Sequence, residues 1–421
     1  MRGLPGSLWM SGTAPLTTRI EFVVELARRL HEYGTAAPRL EAAISLVAQR
    51  LDLACDVLST PTSIVMSFAD RARGRRPLAE ITQVVRASPG EVNLKRLCIV
   101  DEIADRVIDG SLDLVEGYRR LLQIGETPQS RLSRFASVVA YGIASACVAA
   151  ILLTGWAGVA TAAVIGLAIG ATSVLAQRRP NIAAAFEAIS ALVATLAAIF
   201  IATHIVPIQV KSVVIASLIV LLPGMSLTTA VRELSSQHLI SGTARMAGAM
   251  TTLLKLAFGT AAAVQLCTLI GWVPMQTPAP AVPVWLEWVV VPISGLAFAI
   301  TFRSPLRHYP IVIAAVIVGY ICTRAGGAYV SAAFGVFLGG LVLGASSNVF
   351  ARMFSRPGAL IREPGIILLV PGSVGFRTMS FVFERDVLLG LDTGITLMTL
   401  LIALVAGLLF GDLLVPPRRK L

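Results

Sequence analysis

Val220-Leu221-Leu222-Pro223-Gly224, inside the apolar run 213–230, has a counterpart in Leu368-Leu369-Val370-Pro371-Gly372, inside the apolar run 365–383. The same spacing continues downstream, where Gly242 aligns with Gly390 and Gly259 with Gly407. A proline within a helix removes one backbone N–H, and its ring clashes with the carbonyl four residues back. Two such breaks in matching places of two halves point to the binding site of a secondary transporter. The bland alternative is a pair of unrelated proline kinks. The shared glycines argue against it.

Composition bounds the class. The chain has 421 residues, 56% hydrophobic and 14% charged, the balance of an integral membrane protein. Residues 1–134 carry 18 Lys/Arg and 16 Asp/Glu, as a mixed-charge soluble domain would; residues 135–421 carry 17 and 8. The basic excess of the second part sits in short connections between apolar segments, which favours membrane orientation over nucleic-acid binding. The five cysteines (Cys55, Cys98, Cys147, Cys267, Cys322) form no CxxC pair, and the four histidines are scattered. Neither a metal site nor a disulfide framework is expected. Leu8-Trp9-Met10 is too short a run for a signal peptide.

Residues 1–134 read as an α+β cytosolic domain. Helical spacing covers Arg19–Tyr33, with Phe22, Val23, Leu26 and Leu30 on one face and Gly34 beyond it. A second helix runs from Pro38 to Leu51. Strand-like runs at Cys55–Leu58 and Ser63–Phe68 flank Thr60-Pro61-Thr62. A basic loop, Arg71–Arg76, and helices near 93–109 and 112–124 follow.

From Phe135 the chain alternates apolar spans with short connections. The spans fall near 135–154, 158–176, 184–206, 212–230, 246–272, 286–302, 309–323, 328–350, 364–383 and 389–415. Most suit the roughly 20 residues that a bilayer core requires, 309–323 being short. One set of connections holds Arg178, Arg179, Arg232, Arg245, Arg303, Arg307, Arg352, Arg356, Arg362, Arg418, Arg419 and Lys420; the other holds Lys211, Arg324 and Arg385. That asymmetry places both termini in the cytoplasm. The expected class is a mostly α, polytopic membrane protein with about ten transmembrane helices: a first membrane half over 135–275 and a second over 276–421. Five spans per half put the two proline-bearing spans antiparallel, as an inverted repeat.

Each break exposes the start of a half-helix. The N–H groups of Gly224, Met225 and Ser226, and of Gly372, Ser373 and Val374, lose their usual partners, and such ends attract anions. Pro223, Gly224, Ser226, Thr228, Pro371, Gly372 and Ser373 are therefore the expected substrate residues, with Thr229, Thr378 and Ser380 adding hydroxyls nearby. Interhelical packing or back-bonding is the equal alternative for the hydroxyls. Arg377, about 9 Å beyond Pro371 along a helix, is expected either to clamp a carboxylate or to snorkel outward. Glu187 is the expected titrating group, unless it is a helix-end carboxylate facing the headgroups. Lys255 is a counter-charge or lines the path, and Arg232-Glu233 orients the cytoplasmic mouth. Gly166-xxx-Gly170, Gly335-xxx-Gly339 and Gly340-xxx-Gly344 indicate close helix packing and no more.

These residues resemble the threonine/serine exporter family over nearly the whole chain. The N-terminal module is similar in Leu26-Ala27-Arg28-Arg29-Leu30, Gly34, Arg39-Leu40-Glu41 and Thr60-Pro61-Thr62-Ser63-Ile64. The first membrane half is similar in Leu222-Pro223-Gly224 followed by Arg232-Glu233-Leu234, where Asp is the commoner acid. The second is similar in Val370-Pro371-Gly372 followed by Arg377. The resemblance implies a soluble domain, ten membrane helices and proton-driven efflux of threonine and serine. Relatives split over two polypeptides are associated with succinate-type dicarboxylates. The cargo is thus a small amino acid or carboxylate, with protons and membrane lipid as further partners and an oligomer compatible with it; neither cofactor nor nucleic acid is expected. The site implied is a bacterial cytoplasmic (plasma) membrane. A membrane-anchored hydrolase is the alternative of another class, yet GxSxG, HExxH, GxxxxGK[ST] and calcium-loop patterns are all absent from the sequence.

Overall fold

The computed structural model describes residues 14–70, 81–88, 90–126, 130–177, 179–274 and 282–417. The Leu8–Met10 run, the Arg71–Arg76 loop, Arg178 and the tail residues Arg418, Arg419 and Lys420 lie outside the described residues. The N-terminal unit comprises α1 (Leu16–Glu32), α2 (Ala37–Arg50), β1 (Leu53–Thr60), β2 (Ser63–Asp70), β3 (Ile81–Arg86), α3 (Leu94–Ile108) and α4 (Leu114–Glu126). The predicted face of α1 is buried: Phe22, Val23 and Leu26 are fully covered and Leu30 nearly so. Gly34 takes φ +83°, and a Cβ there would lie 3.0 Å from the Val92 backbone, a left-handed turn that glycine adopts without strain. The strands form an antiparallel sheet in the order β1-β2-β3, with Thr60 opposite Ser63 across Pro61-Thr62. The sequence reading misses β3. Thr82, Gln83 and Val84 are exposed in succession, so no burial alternation marks this edge strand; only pairing with β2 defines it.

The membrane part contains α5 (Arg131–Ile151), α6 (Gly155–Ala176), α7 (Pro180–His204), α8 (Val210–Ser217), α9 (Gly224–Ser235) and α10 (Leu239–Ile270). The second half contains α11 (Glu287–Thr301), α12 (Tyr309–Tyr329), α13 (Ala332–Phe354), α14 (Ala359–Ile366), α15 (Gly372–Phe383) and α16 (Val387–Leu414). Among the described residues eight helices are long and apolar enough to cross a membrane; the pairs α8/α9 and α14/α15 are the two interrupted spans. The span expected to be short at 309–323 extends to Tyr329, because Arg324 is neutralised by Glu287 at 2.8 Å and need not end the helix. Helix α5 begins at Arg131, a few residues before the expected start of the first span.

The repeat holds at the level of contacts. A side chain at Gly242 would meet Leu234, and one at Gly390 would meet Val382, the residue 148 positions on. Gly259 lets α10 lie against the Ala188 carbonyl of α7, and Gly407 lets α16 lie against the Phe337 carbonyl of α13. Gln237 and Arg385, one residue beyond the C-caps of α9 and α15, share a positive φ of 65° and 60°. The halves run oppositely. Helix α8 starts beside the end of α15, where Lys211 Nζ lies 3.1 Å from Glu384 Oε2, while α9 ends against the N-terminal unit and α14 begins beside it.

That docking is polar and specific. The amides of Leu94 and Lys95, opening α3, donate to the Phe302 and Arg303 carbonyls at 3.0 Å each. Glu102 pairs with Arg356 at 2.8 Å. Glu41 accepts from the Ser59 amide with one oxygen and meets His238 Nε2 at 3.1 Å with the other. Glu233, expected with Arg232 to orient the cytoplasmic mouth, is fully buried. It accepts from the Ala37 amide at the start of α2 (3.1 Å), from Ser241 Oγ (2.9 Å) and from Arg245 through Nε and Nη2 (3.1 Å each). Replacing Glu233 by Ala strands those donors, a loss of about 3–5 kcal/mol by the usual cost of breaking a buried pair. A lower melting temperature and faster proteolysis between α4 and α5 in detergent are the expected readouts.

His31 is buried in α1 and donates through Nε2 to the Pro61 carbonyl at 3.1 Å. Burial holds its imidazole below the ordinary value of 6.5, and Arg245 adds to the effect. As pH falls through the range just under 6.5, the unfolded chain binds a proton that the folded chain refuses. Stability therefore falls until the lowered folded value is passed. The melting temperature is expected to fall between about pH 7 and about pH 5, and to fall less in His31→Gln.

Candidate substrate site between the interrupted helices

Val213, Val214 and Ile215 are buried along α8, and Leu360, Ile361 and Ile366 along α14, up to the point where each helical hydrogen-bond ladder stops. Pro223 and Pro371 then occupy the N-cap positions of α9 and α15 in one conformation: φ −80°, ψ 37° and φ −79°, ψ 38°. The two breaks touch. A Cβ at Gly224 would lie 3.3 Å from the Gly372 Cα and amide nitrogen, and a Cβ at Gly372 would lie 3.2 Å from those of Gly224. Val370 also closes on Gly224. Both half-helices therefore start at one point from opposite sides, with the positive ends of their dipoles side by side.

The expected free amides are largely found. Among the described residues no acceptor serves the N–H groups of Met225, Ser226, Ser373 and Val374, whereas Gly372 donates to the Val370 carbonyl at 2.9 Å. The hydroxyls divide. Thr228 turns back to the Gly224 carbonyl (3.1 Å), Thr378 to Val374 (3.0 Å) and Ser380 to Phe376 (3.0 Å). Ser226 and Ser373 instead line a cavity of about 580 Å³. Its walls are α5 through Ser137 and Tyr141, α6 through Ser173, α7 through Phe186 and Glu187, and the two breaks; Glu91, Arg134 and Arg303 flank its end at the N-terminal unit.

Glu187 lies on this wall, about 10 Å from the start of α7, and pairs with Lys255 Nζ at 3.5 Å. The ammonium also donates to the Ala184 carbonyl at 3.0 Å, so the two residues singled out separately form one group, with Lys255 just behind the lining. Arg377 differs from the clamp expectation: it is exposed on α15 and does not line the cavity. The six-residue step from Pro371 brings it round to the outward face. Arg232 is engaged with Asp412 of α16 at 3.0 Å, and Asn348 donates to the same carboxylate at 2.7 Å.

Asp412 was missed because it sits at the end of an apolar run; its signal was a carboxylate opposite Arg232. Glu287 was missed likewise. It accepts from Tyr320 OH at 2.7 Å and pairs with Arg324, and its signal was that Arg324 stood almost alone on its side of the membrane.

Two inverted five-helix halves, with interrupted helices meeting at a cavity, define a secondary membrane transporter. The chain belongs to the threonine/serine exporter (ThrE) family: one threonine/serine exporter model matches residues 21–267 and a second matches residues 287–414. Curated relatives named pheromone-regulated membrane protein 10 share 24% identity in Eremothecium gossypii, over 97% of this chain and 57% of that protein. The Zygosaccharomyces rouxii protein shares 24%, over 97% and 44%, and the Saccharomyces cerevisiae protein 25%, over 86% and 47%. The chain thus spans about half the length of these relatives. They are fungal membrane proteins and overturn the expected bacterial plasma membrane, pointing to a eukaryotic membrane. No solved structure matches the chain. Membership of a transporter family speaks for a carrier and against the hydrolase alternative.

Gly224→Leu and Gly372→Leu should each cut flux by at least about tenfold, since the added side chain has no room between the breaks; Arg377→Ala should leave apparent affinity within about twofold, like other exposed substitutions. Initial-rate transport in proteoliposomes, normalised to inserted protein, checks both.

Proposed function

We propose that the chain exports small amino acids, threonine and serine first, from the side bearing the N-terminal unit to the opposite side, coupled to protons. The observation that carries this reading is the meeting of two half-helix N-termini, with unsatisfied amides, at the wall of a cavity that reaches the N-terminal unit. The substrate carboxylate is held by the amides of Met225, Ser226 and Ser373, which line the cavity and whose dipoles favour an anion. The glycines allow main chain to approach cargo without a side chain between. Ser226 and Ser373 offer hydroxyls to the polar end of threonine or serine. A volume of about 580 Å³ suits a small polar solute with its water, since small-molecule sites run about 300–1,000 Å³.

Glu187 supplies the coupling. Ionised, it pairs with Lys255 or takes the substrate ammonium; protonated, it releases the ammonium. One carboxylate thus answers to either proton or cargo, the linkage that antiport requires. Lipid packs on the apolar outer faces of helices such as α10 and α16. A second reading keeps succinate-type dicarboxylates as cargo, because two helix ends of one sign can hold two carboxylates.

Counterflow of labelled threonine, serine and succinate in proteoliposomes orders the substrates. Glu187→Gln should retain exchange yet lose most of the accumulation driven by a pH gradient. Gradient-driven accumulation at the wild-type level in that variant would remove Glu187 from the mechanism, and no counterflow of any of the three solutes would remove the export reading.

A further inference from the structure

A second pocket, of about 460 Å³, lies where the N-terminal unit meets the α11–α12 corner. Arg28, Arg86, Arg96 and Arg303 line it, against Glu32 and Glu91. Glu32 is engaged by Arg29 at 2.8 Å and Arg28 lies 3.7 Å from Glu25, so Arg86, Arg96 and Arg303 set the basic character of the lining against Glu91. Its frame is fixed. Arg96 stacks over the Tyr33 ring at 5.6 Å, its amide is capped by the Asn93 side chain at 3.1 Å, and α3 is bonded to the corner itself. A side chain at Gly90 would collide with the His31 carbonyl, so the segment forming the pocket floor is pressed against α1.

The pocket shares Gly90, Glu91 and Arg303 with the transport cavity. Glu91 and Arg303 lie 3.9 Å apart at that shared boundary. We propose that this second pocket is a carboxylate-binding anteroom: it gathers the carboxylate end of a small solute on Arg86, Arg96 and Arg303 and delivers it past the Glu91–Arg303 pair into the cavity. The planar fork of arginine suits two-point binding of a carboxylate, and a basic funnel raises the local concentration of an anionic group. The inference rests on the transport reading for what the pocket feeds, while carboxylate binding in the pocket stands apart from it. A dicarboxylate is held more tightly there than a zwitterion, whose ammonium meets the same arginines.

The test uses the full chain in detergent, titrated calorimetrically with succinate and with threonine. The Gly372→Leu variant, whose site between the breaks is filled, should still bind succinate, and binding should weaken at least about fivefold on raising salt from about 50 to about 500 mM. Adding Arg86→Gln and Arg96→Gln to it should abolish that binding at an unchanged melting temperature, and Arg96→Lys in place of Arg96→Gln should restore part of it. In proteoliposomes the Arg86→Gln/Arg96→Gln pair should raise KM for the transported carboxylate about fivefold with kcat unchanged. Gly372→Leu protein that binds neither succinate nor threonine, or binding indifferent to the arginine substitutions, overturns the anteroom. Wild-type protein that binds succinate in the arginine-dependent way yet shows no counterflow supports the pocket and refutes only the transport reading.

Discussion

The contact between Gly224 and Gly372 is the constraint on which the rest of the membrane part turns. Each residue follows a proline at the N-cap of a half-helix, and neither has a side chain to hold the two main chains apart. In hydrocarbon an open amide is costly unless protein, water or ligand meets it. Two sets of such amides are brought to one place, where a cavity serves them. The helices around them repeat the same solution twice. Glycine contacts let α10 rest on α7 and α16 on α13, so each half is a stiff frame around its own break.

The two halves are alike in fold and unlike in what their breaks face. In the first half α5, α6 and α7 line a cavity beside the break, although Ser145 of α5 still donates to the Ser217 carbonyl at the end of α8. In the second, glycines bring the corresponding helices together: Gly319 of α12 lies against the Gly365 carbonyl, Leu343 and Leu369, and Gly339 of α13 against Leu369, Thr323 and the Gly319 carbonyl. Ion pairs mark both ends of this arrangement, Arg232–Asp412 toward the N-terminal unit and Glu287–Arg324 toward the other face.

The N-terminal unit is bound to the membrane part through hydrogen bonds and ion pairs that involve both repeats. Glu233 belongs to α9, directly continuous with the first break, and yet it closes the first turn of α2. The opening of α3, bonded to the α11–α12 corner, ties the same unit to the second half. The N-terminal unit is thus fastened to both repeats, beside the cavity that its residues Gly90, Glu91 and Val92 help to line.

Much of this was legible in the chain. Apolar length and the spacing of Pro223-Gly224 against Pro371-Gly372 set out ten spans and the repeat, because a bilayer dictates helix length and backbone satisfaction locally. The family likeness followed from the same residues. What the sequence left undecided were facts of rotation and partnership. Arg377 lies on a helix whose facing is set by packing, and it turned outward. Glu187 and Lys255 are 68 residues apart and became partners only when α7 met α10. Asp412 and Glu287 gained theirs in the same way, and β3 exists because β2 offers it an edge. Periodicity fixes which residues share a face; only the assembled helices decide what that face meets.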